Sequence, residues 1–170
     1  MGTKVFNMAI QDMMSAVEQD AENPQYLYKM GLCLFADKQY KKCVDTLKIA
    51  LQCNPFPSYE PDIYYHIGLA YCLTEKFEKS IYPFTQAINM VPTDIKYIHE
   101  RAKAYQMIGD HEKAVKDFSK VIEKNKKNAH AYFRRAFSQK LLKNYTESVN
   151  DFERAKELDP LNPKMIVNYK

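Results

Sequence analysis

The chain has 170 residues, 46% of them hydrophobic and 27% charged, which is enough apolar material for an ordered body and too much for a disordered segment. Only 4 glycines and 8 prolines stand beside many Lys, Glu, Gln and Ala residues, a balance that favours helices over a turn-rich β architecture. The net charge of +4 is mild, no apolar run approaches the roughly 20 residues of a membrane span, and the N-terminus lacks a signal peptide. The sequence therefore reads as a soluble, cytoplasmic protein that needs neither a membrane nor nucleic acid.

Residues 1–22 predict one helix. Met13 and Ala16 stand where the second helix of a hairpin carries its large and small core positions, so this segment reads as half a hairpin, with Val5, Met8, Met13 and Met14 forming an exposed stripe. From residue 24 onward the chain repeats itself. The lines Tyr64-Tyr65-His66-Ile67-Gly68, Ile98-His99-Glu100-Arg101-Ala102 and Tyr132-Phe133-Arg134-Arg135-Ala136 superimpose at an offset of 34 residues. The period sets windows at 61–94, 95–128 and 129–162, with an earlier one at 24–57 and the beginning of a further helix at 163–170.

Each window carries the same core pattern. The eighth position is small (Gly31, Gly68, Ala102, Ala136), and so is the twentieth (Cys43, Ser80, Ala114, Ser148); two helices approach closely only where side chains are small. The twenty-fourth is large (Leu47, Phe84, Phe118, Phe152), the twenty-seventh is Ala50, Ala87, Val121 or Ala155, and Pro55, Pro92 and Pro160 close three of the windows. At roughly 100° per residue, Leu27, Met30, Gly31 and Leu34, or Tyr64, Ile67, Gly68 and Tyr71, share one face of a helix. Breaks at Asp37-Lys38-Gln39, Thr74-Glu75-Lys76, Gly109-Asp110 and Lys143-Asn144 precede a second apolar stripe, so each window predicts a helical hairpin.

This combination of period, small and large positions and closing proline resembles the tetratricopeptide repeat family over nearly the whole chain. The resemblance implies an all-α, right-handed superhelical stack of antiparallel hairpins forming one solenoid domain, in which neighbours bury the faces that one hairpin leaves open. It also implies a protein-interaction scaffold rather than an enzyme.

Two irregularities interrupt the pattern. Pro83 falls well inside the second helix of its window, where it predicts a kink unless that helix begins late enough to put the proline in its first turn. The connection from Pro55 to Pro61 is longer than the others and holds three prolines, with Pro57 between them. It either alters the twist between hairpins or forms a contact loop.

No catalytic or cofactor motif accompanies the repeat. Cys33, Cys43, Cys53 and Cys72 include no CxxC pair and read as reduced, packed thiols. His66, His99, His111 and His130 have no metal-binding spacing, and neither GxxxxGK[ST] nor GxGxxG occurs. The expectation is no enzyme, no metal and no cofactor.

In the family that the sequence resembles, the remaining face of each first helix lines a concave groove that holds peptide. Here those positions are apolar and aromatic in the earlier windows: Tyr28, Leu32, Phe35, Tyr65, His66, Leu69 and Leu73. In the later ones they are Lys96, His99, Lys103, His130, Phe133, Arg134 and Phe137, with Glu100, Gln106, Met107, Lys140 and Leu141 beside them. Four cations against one carboxylate leave a net charge of three. The residues predict a partner peptide or protein whose hydrophobic side chains meet the first set and whose acidic groups or C-terminal carboxylate meet the second. Packing of the apolar residues into a core is the competing explanation. The family's two-carboxylate clamp for chaperone tails is poorly matched. Tyr65, Leu69, Glu100 and His130 stand where its lysines and asparagines belong and only Arg134 fits; counted one window earlier, only Lys96 fits. A third expectation is a structural segment of a larger repeat protein or assembly that self-associates through its open ends.

Overall fold

The computed structural model describes the backbone of residues 2–54 and 57–161; the side chains of 2–7, 9 and 10 are not described. Pro55 and Phe56 of the proline-rich connection, and the predicted helix at 163–170, therefore lie outside the described residues, as does the side chain of Val5. Every described regular element is an α-helix: α1 (Gly2–Gln19), α2 (Pro24–Ala36), α3 (Tyr40–Gln52), α4 (Glu60–Leu73), α5 (Phe77–Met90), α6 (Ile95–Met107), α7 (His111–Lys124), α8 (Ala129–Leu141) and α9 (Tyr145–Leu158). They form two compact units, Met1–Val91 and Pro92–Lys170.

In the first unit α2 pairs with α3 and α4 with α5, α1 packs on α2, and α3 bridges to α4. Pro24 occupies the first turn of α2 behind an Asn23 cap whose side chain accepts from the backbone N–H groups of Gln25 and Tyr26, which satisfies donors that a helix start leaves open. The small positions act as the sequence predicts. A Cβ at Gly68 would lie 2.5 Å from Cε1 of Phe84, and one at Gly31 would run into Leu47. Phe84, Leu47, Cys43, Ser80, Ala50 and Ala87 are all fully buried. Each large side chain contributes about 1.5–3 kcal/mol relative to exposure. Helix α5 begins at Phe77 and runs through Pro83, so a late start does not explain this proline; it sits past the first turn and is buried.

In the second unit α6 pairs with α7 and α8 with α9, while α7 packs on α8. Asp94, Asp110 and Asn128 cap the first three helices through side-chain acceptors. The core again uses the repeated positions, with Ala102, Ala114, Phe118, Val121, Ala136 and Ala155 fully buried. Every hairpin turns on one residue in the left-handed region: Lys38 and Glu75 in the first unit, Gly109 and Lys143 in the second. Only Gly109 escapes the cost that a Cβ imposes there.

Sequence reading missed a further repeat. Arg101 Nε and Nη2 donate to Asp117 at 2.7 and 2.9 Å, and one period later Arg135 Nε and Nη2 donate to Asp151 at 2.7 Å each. These forked pairs tie α6 to α7 and α8 to α9. Asp117 and Asp151 are buried, so each pair sits in a medium where charge-assisted bonds are strong.

Candidate functional site

Helices α2 and α4 carry the predicted face of the first unit. Tyr28 Oη donates to Asp62 Oδ2 at 2.7 Å, and its ring stacks on Tyr59 with centroids 5.2 Å apart. Phe35 meets His66 edge-on at 5.3 Å, His66 in turn contacts Tyr65, and His66 Nδ1 lies 2.8 Å from the Asp62 carbonyl oxygen. Tyr28 and Phe35 also pack against the unit's core. Part of this apolar face is thus engaged between α2 and α4, as the competing explanation supposes. Leu32 and Leu69 are partly buried, and Leu73 keeps 54% of its surface exposed.

The second unit brings its predicted residues into one polar chain along α6 and α8. Lys103 Nζ donates to Glu100 Oε2 at 2.7 Å, His99 Nδ1 lies 3.5 Å from Glu100 Oε1, and His99 Nε2 lies 3.3 Å from His130 Nδ1. Arg134 Nε points at His130 at 3.5 Å, and Arg134 Nη1 donates to Gln106 Oε1 at 2.9 Å. Gln106 closes the chain by donating through Nε2 to the Arg134 carbonyl oxygen and to Ser138 Oγ. Gln106 stands on the same face of its first helix as the predicted residues, whereas Ser138 was not among them.

This chain changes the charge of the face. Lys103 is neutralised by Glu100, and Lys96 faces Asp94 at 3.4 Å, so the three net positives read from the sequence are not three available cations. Burial works to raise the Glu100 carboxyl, but hydrogen bonds from His99 and Lys103 and their charges outweigh it and hold the group below the usual carboxylate range. Burial likewise lowers the Arg134 guanidinium, against the pull of Glu100. Arg134 keeps one terminal nitrogen, Nη2, without an acceptor among the described residues. Beside it a cleft of about 380 Å³ is lined by Gln106, Met107, Phe133, Arg134 and Phe137. Met107 and Phe137 are 55% and 46% exposed. Phe133 instead leans edge-on against Phe152 at 5.6 Å, which makes it the floor of the cleft.

Two sequence models, both described as tetratricopeptide repeats, match residues 100–128 and 129–160. The matched segments are tetratricopeptide repeats. Solved structures with this fold are similar along most of its length: MamA, 20% identical with a TM-score of 0.85 over 91% of this chain and 89% of that one, and YrrB, 16% identical with a TM-score of 0.87 over 96% and 83%. YrrB is described as a tetratricopeptide protein with an unusual peptide-binding site. The tetratricopeptide domain of Arabidopsis OM64 is 27% identical with a TM-score of 0.62 over 65% of this chain and 92% of that one. No curated protein matches the sequence significantly. The fold is accordingly an all-α tetratricopeptide solenoid, an architecture whose repeats build extended surfaces for holding other proteins. No helix among the described residues is long and apolar enough to cross a membrane.

Proposed function

We propose that this tetratricopeptide solenoid is a non-catalytic scaffold that binds a segment of a partner protein on the first-helix face, through apolar side chains and a carboxylate. The observation that carries the reading is Arg134, a half-buried guanidinium with an unused donor at the edge of a cleft walled by Met107 and Phe137. A carboxylate from an acidic side chain or a C-terminus completes that guanidinium in the geometry that arginine favours. Phe133 and Phe137 offer the neighbouring apolar side chain its contact. In the first unit Leu32, Leu69 and Leu73 supply a second apolar strip, while Tyr28, Phe35, Tyr65 and His66 hold that wall in place. Lys96, His99, Lys103 and His130 set the polar rim.

The test compares binding of peptides with free and amidated C-termini, by fluorescence anisotropy, between the unaltered chain and a Leu69→Glu plus Arg134→Glu variant of equal helicity. Loss of the bound peptides in the variant is the expected result. The reading is overturned if every peptide that binds the unaltered chain binds the variant equally well. A second reading is self-association through the ends, which the exposure of Met8 and Met14 on α1 favours. Concentration-dependent sedimentation, unchanged by the face substitutions and with no peptide bound, would establish it instead.

A further inference from the structure

A second recessed surface lies in the first unit, on the side of α4 roughly opposite Leu69 and Leu73 at about 100° per residue. Its origin is visible in the repeat. The positions that hold Arg101 with Asp117 and Arg135 with Asp151 are occupied, one period earlier, by Ile67 and Pro83. Neither side chain reaches across as a forked guanidinium does. Both instead line a cleft of about 400 Å³, together with Leu51 from α3, Tyr64 and Tyr71 from α4 and Tyr82 from α5. In the second unit the equivalent tyrosines are covered internally, since the Arg101 guanidinium lies 5.7 Å from the ring of Tyr105 and that of Arg135 lies 5.6 Å from Tyr132. Pro83 has one more consequence: lacking an N–H, it offers no helical donor to the carbonyl of Lys79, a residue that itself lines the cleft.

Charge selects the occupant. Lys48 and Lys79 flank the apolar floor, and Lys41 and Lys76 line a smaller adjoining cleft of about 170 Å³ that shares Tyr71 and Lys79. Against these ammonium groups the clefts hold a single carboxylate, Asp45. The described lysine ion pairs, on Lys96, Lys103, Lys113 and Lys120, all lie in the other unit. The rings do not form a stacking platform for bases, because Tyr64 and Tyr82 meet edge-on at 79° and Lys48 lies over Tyr71 at 5.9 Å. A floor of Leu51, Ile67 and Pro83 suits a side chain rather than a flat ring system.

We propose that this cleft is a second docking site, taking a partner protein segment that inserts one large apolar side chain between Tyr64, Tyr71 and Pro83 and sets flanking carboxylates against Lys48 and Lys79. The volume fits one aromatic or long aliphatic anchor, the kind of residue that dominates such interfaces. The site is independent of the first-helix face, and a scaffold with both holds two segments at once.

The experiment selects a random-peptide display library on the full chain carrying Leu69→Glu and Arg134→Glu, which removes the first-helix face from competition. The expected peptides carry a large apolar residue flanked by Asp or Glu. A synthetic copy should lose affinity about tenfold in Lys48→Glu plus Lys79→Glu, lose it again in Tyr82→Ala, and shift amide resonances on α3, α4 and α5. All three side chains are exposed, so the fold tolerates these changes, and helicity and melting check this. The proposal fails if nothing is enriched, if the peptides lack acidic residues, if the lysine reversals leave affinity unchanged, or if the surface prefers oligothymidylate or phosphatidylserine vesicles. Peptides that bind the unaltered chain but not the doubly substituted one sink this site while leaving the first-helix reading intact.

Discussion

Replacing Asp117 with alanine removes the carboxylate that accepts two hydrogen bonds from Arg101 and leaves a guanidinium with 14% exposure beside a site whose aspartate had 4%. Breaking a buried ion pair by deleting one partner costs about 3–5 kcal/mol, whereas replacing both partners with apolar side chains is often neutral. Arg101 retains a contact with the ring of Tyr105 and some access to water, so the expected loss for Asp117→Ala is near 3 kcal/mol, the lower end of that range. The double variant Arg101→Met, Asp117→Leu should recover most of it, and with the Arg101→Met and Asp117→Leu singles it closes a mutant cycle whose expected coupling is about 2 kcal/mol. The repeat itself makes the exchange once, at Ile67 and Pro83. Because repeat proteins do not always unfold in one step, native-state hydrogen exchange of α6 and α7 amides is read together with urea unfolding. Single and double variants that lose stability equally, within about 0.5 kcal/mol, would refute the coupling.

Gly68→Ala should destabilise by about 1–3 kcal/mol, because the new methyl meets the buried Phe84 ring at 2.5 to 2.8 Å; thermal melting checks it, and Gly109→Ala should lose stability through backbone strain instead, as nothing lies within 4 Å there. Lys143→Gly should stabilise by a fraction of the roughly 1–2 kcal/mol that a left-handed residue with a Cβ costs, given its φ of 64°, again read by melting. Glu100 contributes stability that is fully present above its unfolded value of 4.5 and is lost as pH falls through its lower folded value. Urea unfolding across that acid window should show the loss, and Glu100→Gln should flatten it. Burial pushes the Cys43 thiol up to about 12, so Cys43 should resist alkylation in the folded chain and react only on unfolding, as mass spectrometry of labelled peptides would show.

What the sequence alone determined was everything governed by local periodicity. The small positions Gly31, Gly68, Ala102 and Ala136 face Leu47, Phe84 or their equivalents because a helix of fixed pitch brings the same register to the same face in every window, and the breaks at Lys38, Glu75, Gly109 and Lys143 follow from where those faces end. The charge pattern was legible only in part. Lys103 and Glu100 are three residues apart on one helix, so their pairing was available from spacing. The arginine and aspartate that recur at the 34-residue period also carried a signal, visible once one asks which charges can be buried together. What only the tertiary structure decided was which polar groups satisfy one another across helices. Arg134 reaches Gln106 over 28 residues of chain and Gln106 reaches Ser138 over 32, contacts fixed by how α6 lies on α8 rather than by any residue's own helical position. The cleft at Ile67 and Pro83 arises the same way, from two unremarkable apolar residues standing where neighbouring hairpins place a salt bridge, and a cavity belongs to the space between helices, which no single helical pattern encodes.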